Sequence, residues 1–223
     1  MMRALSCIVA VALASSSAAA GPTGRVTGKV TVTEADGKPT AAGVEVIVYV
    51  VGFTEPASAA PVTVKQKGRR FVPELVAVTL GGKVTFPNED AFLHNVFSQS
   101  SSRKFDLGSF KKGEAKTKEF PSPGVVDVYC NIHPEMAATI LVLPNQRHTR
   151  TAADGSFTLD GVPAGTWTVF AYTRRAAKPV NAKVTVTAGA DTKIEMAIQR
   201  GAEPEQLNKY GEKYRSGTPN TYR

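Results

Sequence analysis

The stretch VDVYCNIHPEM, residues 126–136, ends a run of alternating apolar residues and then places three metal-binding side chains at three-residue intervals. Cys130, His133 and Met136 offer a thiolate, an imidazole and a thioether. Together with a second imidazole, these donors suit a copper ion that changes oxidation state. Because one short loop cannot surround an ion, the second imidazole must come from another strand, and His94 is the candidate.

The rest of the chain predicts strands rather than helices. Runs of alternating apolar and polar residues, such as RVTGKVTVT (25–33) and GVEVIVYVVGF (43–53), are separated by turn signals that contain Gly, Pro and Asp-Gly. No stretch keeps the apolar spacing of an amphipathic helix. The sequence therefore predicts an all-β protein whose strands are spaced as in β-sandwiches.

The N-terminus has the features of a secretory signal: a positive start, the apolar core ALSCIVAVALA and a small-residue tail. We expect residues 1–20 to be removed and the protein to be exported, with the periplasm as its location. A lipid anchor at Cys7 is the alternative, although Cys7 precedes most of the apolar run instead of following it. No later stretch approaches the roughly 20 apolar residues that span a membrane, so a membrane-spanning segment is not expected.

Export changes the meaning of the two cysteines. Removal of Cys7 with the signal leaves Cys130 as a lone thiol in an oxidising compartment, where it cannot form an internal disulfide. Such a thiol is expected to be buried or to bind a metal. The net charge is +8, but the basic residues of 103–119 alternate with acids. A solvated loop or an acidic protein partner fits this pattern, whereas nucleic acid does not, since no recognition motif accompanies the charge.

Two segments of the chain resemble the cupredoxins, and most closely their plastocyanin and amicyanin branch. FPNEDAFLHNVFS (86–98) and FPSPGVVDVYCNIHPEM (120–136) carry the resemblance, which spans residues 61–143. It implies a Greek-key β-sandwich or barrel that holds one type 1 copper ion. It also implies that Asn95 ties the two ligand loops together and supports the cysteine sulfur. The implied copper ligands are His94, Cys130, His133 and Met136; tetrahedral zinc would use the same loop, but a thioether is a poor zinc ligand.

The flanking segments resemble a different family. GKVTVTEADGKPTAAGVEVIVYV (28–50) and TRTAADGSFTLDGVPAGTWTVFAYT (149–173) resemble the two halves of a carboxypeptidase-regulatory-like (transthyretin-like) β-sandwich. The sequence therefore predicts a second, discontinuous sandwich made from residues 24–53 and 147–199, with the copper domain inserted between its halves. Tandem packing with an independent N-terminal hairpin is the alternative. The polar tail, residues 200–223, is predicted to be disordered.

We expect the chain to be a monomeric carrier of single electrons and not an enzyme, since no catalytic residue set accompanies the four ligands. Its partner is expected to be a redox protein that docks near His133. The basic residues of 103–119 would suit an acidic partner. A copper chaperone or store is one alternative function. A structural or carbohydrate-binding sandwich, with Trp167 and Tyr172 as stacking rings, is another.

Overall fold

The computed structural model describes residues 21–40, 43–176, 178–202 and 206–213. The predicted secretory signal, including Cys7, lies outside the described residues. In the described part of the chain, the regular elements are β-strands, and no helix there is long and apolar enough to cross a membrane. The prediction of an all-β fold is therefore confirmed.

The strands follow one another in short elements, as the alternating pattern of β-branched and polar residues predicts. In chain order they are β1 (Thr23–Thr33), β2 (Val46–Val51), β3 (Val62–Thr63), β4 (Lys65–Gln66), β5 (Phe71–Val72), β6 (Leu75–Thr79), β7 (Lys83–Pro87), β8 (His94–Ser98), β9 (Phe105–Phe110), β10 (Ala115–Glu119), β11 (Gly124–Tyr129), β12 (Ala137–Leu143), β13 (His148–Arg150), β14 (Ser156–Pro163), β15 (Gly165–Thr173), β16 (Val180–Val186) and β17 (Asp191–Gln199).

Strands from both ends of the chain form one sandwich, which we call the host sandwich. Its two sheets have the strand orders β14-β1-β17 and β13-β2-β15-β16. Strand β1 pairs antiparallel with β14 and parallel with β17, so residues far apart in sequence share a sheet. Its core contains Val26, Val48, Phe157, Val169 and Met196, which are all buried. Burying these side chains against each other is the main stabilising contribution of such a core.

The middle of the chain forms a second sandwich, which we call the insert sandwich. Its sheets have the orders β6-β12-β11-β8-β9 and β10-β7-β3, and β4 pairs with β5 in a separate hairpin. Its core cluster includes Phe71, Phe86 and Phe110 together with Cys130 and Met136. Strand β8 is buried along its whole length, because it lies between β11 and β9 within the five-stranded sheet. A side chain at the start of β8 is thus held in the interior.

The chain leaves the host sandwich and returns to it side by side. Asn145 is fully buried, and its Nδ2 donates hydrogen bonds to the carbonyl oxygens of Val50 and Phe53, each at 3.0 Å. The N–H of Glu55 donates to the carbonyl oxygen of Pro144 at 3.0 Å. Neighbouring entry and exit points are what the insertion of one domain into another requires. Whether each sandwich folds alone stays a prediction.

An apolar interface joins the two sandwiches. Across it, Arg174 of the host forms a salt bridge with Glu74 of the insert at 2.8 Å. Burial at this interface raises the pKa of Tyr172 to about 12, and Trp167 packs against Phe53 with ring centroids 4.8 Å apart. Both rings proposed for sugar stacking therefore take part in packing. The apolar cluster contains Ile47, Leu75, Ala77, Leu141 and Leu143, with Tyr49 and Tyr172 packed against it.

Part of the C-terminal tail differs from the disordered segment that its composition predicts. Residues 206–213 form a turn in which Leu207 and Lys213 make a β-bridge. The Asn208 side chain stabilises this turn, since its Oδ1 accepts hydrogen bonds from the N–H groups of Tyr210 and Glu212 at 2.9 and 3.0 Å. Asn side chains commonly satisfy nearby backbone donors in this way. A composition rule averages over the tail and does not register one such local contact.

Candidate metal centre

Three of the predicted ligand side chains meet at one end of the insert sandwich. The Cys130 Sγ lies 3.9 Å from the His94 Nδ1 and 3.8 Å from the His133 Nδ1, and the two Nδ1 atoms are 3.1 Å apart. All three residues are buried. In the described part of the chain, they are the cluster of potential metal-binding side chains whose donor atoms lie close enough together to hold an ion. They meet because β8 and β11 are antiparallel neighbours, so that the start of one lies beside the end of the other.

The orientation of His94 is set by Asp90. The His94 Nε2 lies 2.8 Å from the Asp90 Oδ2, and the same carboxylate accepts hydrogen bonds from the N–H groups of Gly68 and Arg69 at 2.7 and 3.0 Å. Burial alone would raise the pKa of Asp90, but these hydrogen bonds together outweigh it and lower the pKa. An ionised carboxylate only accepts, so the ring proton of a neutral His94 lies on Nε2. The Nδ1 lone pair is then free to bind a metal.

The loop from Cys130 to Met136 is closed by its own backbone. The N–H of Cys130 donates to the carbonyl oxygen of Met136 at 3.2 Å, and the N–H of Met136 donates to the carbonyl oxygen of His133 at 3.1 Å. These bonds return the chain toward its starting point within six residues. Met136 is fully buried and belongs to the same core cluster as Cys130. The loop thus holds two of the three clustered donors and buries the thioether in the adjacent core.

Asn95 connects the two ligand segments, as the resemblance implies. Its backbone N–H donates to the Cys130 Sγ at 3.5 Å, and its Oδ1 accepts a hydrogen bond from the N–H of Asn131 at 3.2 Å. Its Nδ2 donates to the Asp106 Oδ1 at 2.7 Å. The position of the sulfur therefore depends on a network that begins on β9. Neither Asp90 nor Asp106 was among the residues predicted from sequence; the four-residue spacing of Asp90 from His94 is the one signal that could have identified either.

The pKa shifts of Cys130 and His133 both favour the neutral form of the side chain. Burial raises the pKa of the Cys130 thiol, and the N–H groups of Asn95 and His133 oppose this by stabilising the thiolate. Burial lowers the pKa of His133, and charge on His94 lowers it further. Without a metal, the site thus favours a neutral thiol and a neutral His133 imidazole. A cation would reverse the preference at the sulfur, because a coordinating thiol is deprotonated.

The donors fit a type 1 copper ion. In zinc sites, metal–nitrogen bonds are about 2.0–2.1 Å long and metal–sulfur bonds are about 2.3 Å long. With these bond lengths, two nitrogens that share one ion are at most about 4.2 Å apart, and a nitrogen and a sulfur are at most about 4.4 Å apart. The three observed separations, 3.1, 3.8 and 3.9 Å, are shorter than these limits. Two imidazoles and one thiolate with a nearby thioether are the donor set of blue copper sites. Met136 and the buried, closed loop favour copper over structural zinc.

The site is covered by a thin layer of side chains. His133 has 4% of its surface exposed, so this loop imidazole is nearly enclosed. The Phe92 ring packs against both imidazoles, with centroid distances of 5.2 Å to His94 and 5.4 Å to His133. The Arg69 guanidinium lies over the outer face of the cover, 5.2 Å from the Phe92 ring centroid. His148 is half-buried on β13, outside the donor cluster.

Solved structures similar to this chain are cupredoxins. A purple cupredoxin from Nitrosopumilus maritimus is 22% identical, matched over 36% of this chain and 98% of its own, with a TM-score of 0.33. A reduced amicyanin variant is 22% identical over 43% of this chain and 97% of its own, with a TM-score of 0.36. No protein-family model and no curated protein sequence matches the chain. The choice of metal therefore rests on the donor atoms and their geometry.

The metal-free protein is expected to lose stability in mild acid. Because the folded state lowers the pKa of His133 and of His148, it resists protonation of both rings. As the pH falls below about 6.5, the unfolded chain takes up protons that the folded chain does not, so the free energy of unfolding decreases. Urea unfolding at pH 7.5 and 5.5 measures this loss. His148→Gln separates the contribution of His133, and equal stability at both pH values would contradict the prediction.

Proposed function

We propose that the mature chain is an exported type 1 copper protein that carries single electrons between redox partners. The observation that carries the proposal is the buried cluster of one thiolate and two imidazoles. Copper bound there would supply a one-electron couple. The protein's part is to hold the donors: Asp90 orients His94, and Asn95 supports Cys130. A site held by its own hydrogen bonds keeps similar geometry in both oxidation states, which suits rapid electron exchange.

The proposal includes the absence of catalysis at the site and an export location. A metal held by His94, Cys130, His133 and Met136 would have four protein ligands, whereas catalytic metal sites keep an open position for a substrate. A chaperone or store must release its ion, which a buried, closed donor set opposes. Export is proposed from the signal-like N-terminus. These arguments favour an electron carrier over the other functions considered.

Copper titration tests the proposal directly. We expect the mature protein to bind one Cu(II) ion, to become intensely coloured, and to lose and regain the colour on reduction and reoxidation. Met136→Leu should keep the colour and shift mainly the reduction potential, because the thioether of blue copper sites is a weak ligand. Visible absorption and redox titration measure both effects. A colourless oxidised protein at full copper occupancy would exclude a type 1 site, and rapid loss of copper to a chelator would favour a chaperone.

The surface above the cluster is the proposed docking site for the redox partner. Leu93 is 41% exposed, and Pro134 is also exposed, beside the enclosed His133. Phe92 rests on both imidazoles and connects the surface with the donors. Small apolar contact surfaces are typical of weak redox encounters, which must release quickly. The Arg69 guanidinium at the same surface favours an acidic partner, through an attraction that salt would weaken.

A charge placed on this surface is expected to slow electron exchange without changing the metal site. Leu93→Glu should lower the bimolecular rate with the physiological partner by about tenfold, because a desolvated carboxylate replaces an apolar contact. Val125→Glu is the matched control: Val125 is 37% exposed, near the other end of β11. Stopped-flow rates and visible spectra of both variants provide the measurement. Equal slowing by both variants, or by neither, would show that the partner docks elsewhere.

A further inference from the structure

The turn of residues 206–213, which we call the C-terminal strap, contacts the insert sandwich beside the ligand loop. The N–H of Lys209 donates to the Asn131 Oδ1 at 3.0 Å, and the Lys209 Nζ lies 2.9 Å from the Asp106 Oδ2. The carbonyl oxygen of Lys209 accepts a hydrogen bond from the Gln99 Nε2 at 2.6 Å. The backbone N–H, the backbone carbonyl oxygen and the side-chain ammonium group of Lys209 therefore all form hydrogen bonds with the insert sandwich.

Two residues held by the strap also hold the site. Asn131 donates its N–H to the Asn95 Oδ1 at 3.2 Å, and Asp106 accepts from the Asn95 Nδ2 at 2.7 Å. Asn95 in turn donates its own N–H to the Cys130 Sγ at 3.5 Å. Lys209 therefore closes two short hydrogen-bonded routes that converge on Asn95. Networks of this kind set the orientation of metal ligands and tune the metal they hold.

Charge strengthens the contact. Burial would raise the pKa of Asp106, but hydrogen bonds from Lys209, Gly108 and Asn95 together outweigh burial and lower the pKa. The Asp106 carboxylate in turn raises the pKa of Lys209. Both groups are thus charged at neutral pH. A charge-assisted hydrogen bond is roughly twice as strong as a neutral one. The contact between Lys209 and Asp106 therefore holds the strap more firmly than a neutral hydrogen bond would.

We propose that the C-terminal strap stiffens the metal site, with Lys209 as its positioning residue. By holding Asn131 and Asp106, Lys209 restrains Asn95 and thereby the N–H that points at the cysteine sulfur. The strap follows β17 of the host sandwich, which ends at Gln199. A segment that lies beyond the last strand of the host sandwich therefore supplies a residue that supports the site in the insert sandwich. This inference rests on the proposed function and adds a way in which the C-terminal segment tunes the centre.

The test uses the full-length mature chain with Lys209→Met, which removes the ammonium group and keeps a side chain of similar length. In the metal-free protein, we expect amide hydrogen exchange at residues 95, 131–133, 135 and 136 to become about tenfold faster, since a charged hydrogen bond is lost. In the copper-loaded protein, we expect the reduction potential to fall. A weaker N–H···S bond leaves more electron density on the sulfur, which favours the oxidised ion. Lys209→Arg should restore both properties in part.

Lys183→Met, on an exposed position of β16, is the matched control and should change neither property. Unchanged exchange and an unchanged potential in Lys209→Met would overturn the inference. Faster exchange at residues 95, 131–133, 135 and 136 without a change in potential would also overturn it, because the strap would then support the loop without acting on the metal. If wild-type protein fails to bind copper, the exchange measurement still decides whether the strap restrains Asn95, while the proposed function alone fails.

Discussion

Replacement of Cys130 by serine is expected to abolish the visible colour of the copper-loaded protein completely. The colour of a type 1 site arises from charge transfer between a thiolate and copper, and Cys130 provides the single thiol within 4.8 Å of both imidazoles in the described structure. Structural zinc sites bind their ion with a free energy of about 10–16 kcal/mol. If copper binding is of similar strength and the four ligands share it equally, loss of one ligand should also weaken copper binding by about two to three orders of magnitude. Visible absorption and competition with a chelator measure the two effects.

The fold should survive this change, which makes the result interpretable. Serine nearly matches the volume of cysteine, and the buried hydroxyl at position 130 can still accept the N–H of Asn95. We expect the metal-free variant to lose no more than about 1–3 kcal/mol of stability, the cost of burying a hydroxyl. Met136→Leu, which changes the same loop and retains the thiolate, is the coloured control. Colour that persists in the serine variant would show that Cys130 is not a ligand.

Removal of the insert sandwich is expected to leave a folded host sandwich. In this variant, residue 53 is joined to residue 145 by a short Gly-Ser linker. Host strands already pair across the insertion, with β1 beside β14 and β17, and the host core has its own buried cluster. Asn145 is retained because its side chain binds the carbonyl oxygens of Val50 and Phe53. Circular dichroism and urea unfolding should show one cooperative transition of a β protein.

Without the insert, the host sandwich should nevertheless have a lower free energy of unfolding than it has within the full chain. Removal of the insert exposes Ile47, with Tyr49 and Tyr172 beside it, at the former interface between sandwiches. Uncovering a buried Ile side chain alone costs about 1.5–3 kcal/mol. The reciprocal control is the isolated insert, residues 61–143, which should fold and bind copper by itself. An unfolded host variant alongside a folded, copper-binding insert would favour two tandem units over a split domain.

Much of the centre could be predicted from sequence because its ligands belong to a local pattern. The spacing of Cys130, His133 and Met136 indicates the loop, and Cys130 is the one cysteine outside the signal-like N-terminus. Chain-local backbone bonds then close that loop, as between Cys130 and Met136. The alternation of β-branched and polar residues likewise predicted strands and excluded helices. These features depend on interactions between residues close in sequence, which is where sequence patterns are informative.

The tertiary structure decided what lies around the ligands. The spacing of Asp90 from His94 could have identified that pair, but Asp106 supports Asn95 because β9 pairs with β8, and no spacing rule identifies a partner from another strand. Lys209 reaches Asp106 across about a hundred residues of chain, so its role depends on how the sandwiches pack. The near-complete enclosure of His133 beneath Phe92 is also a product of packing. The sequence indicated which atoms would bind a metal, whereas long-range contacts determine how tightly those atoms are held and how far they lie from solvent.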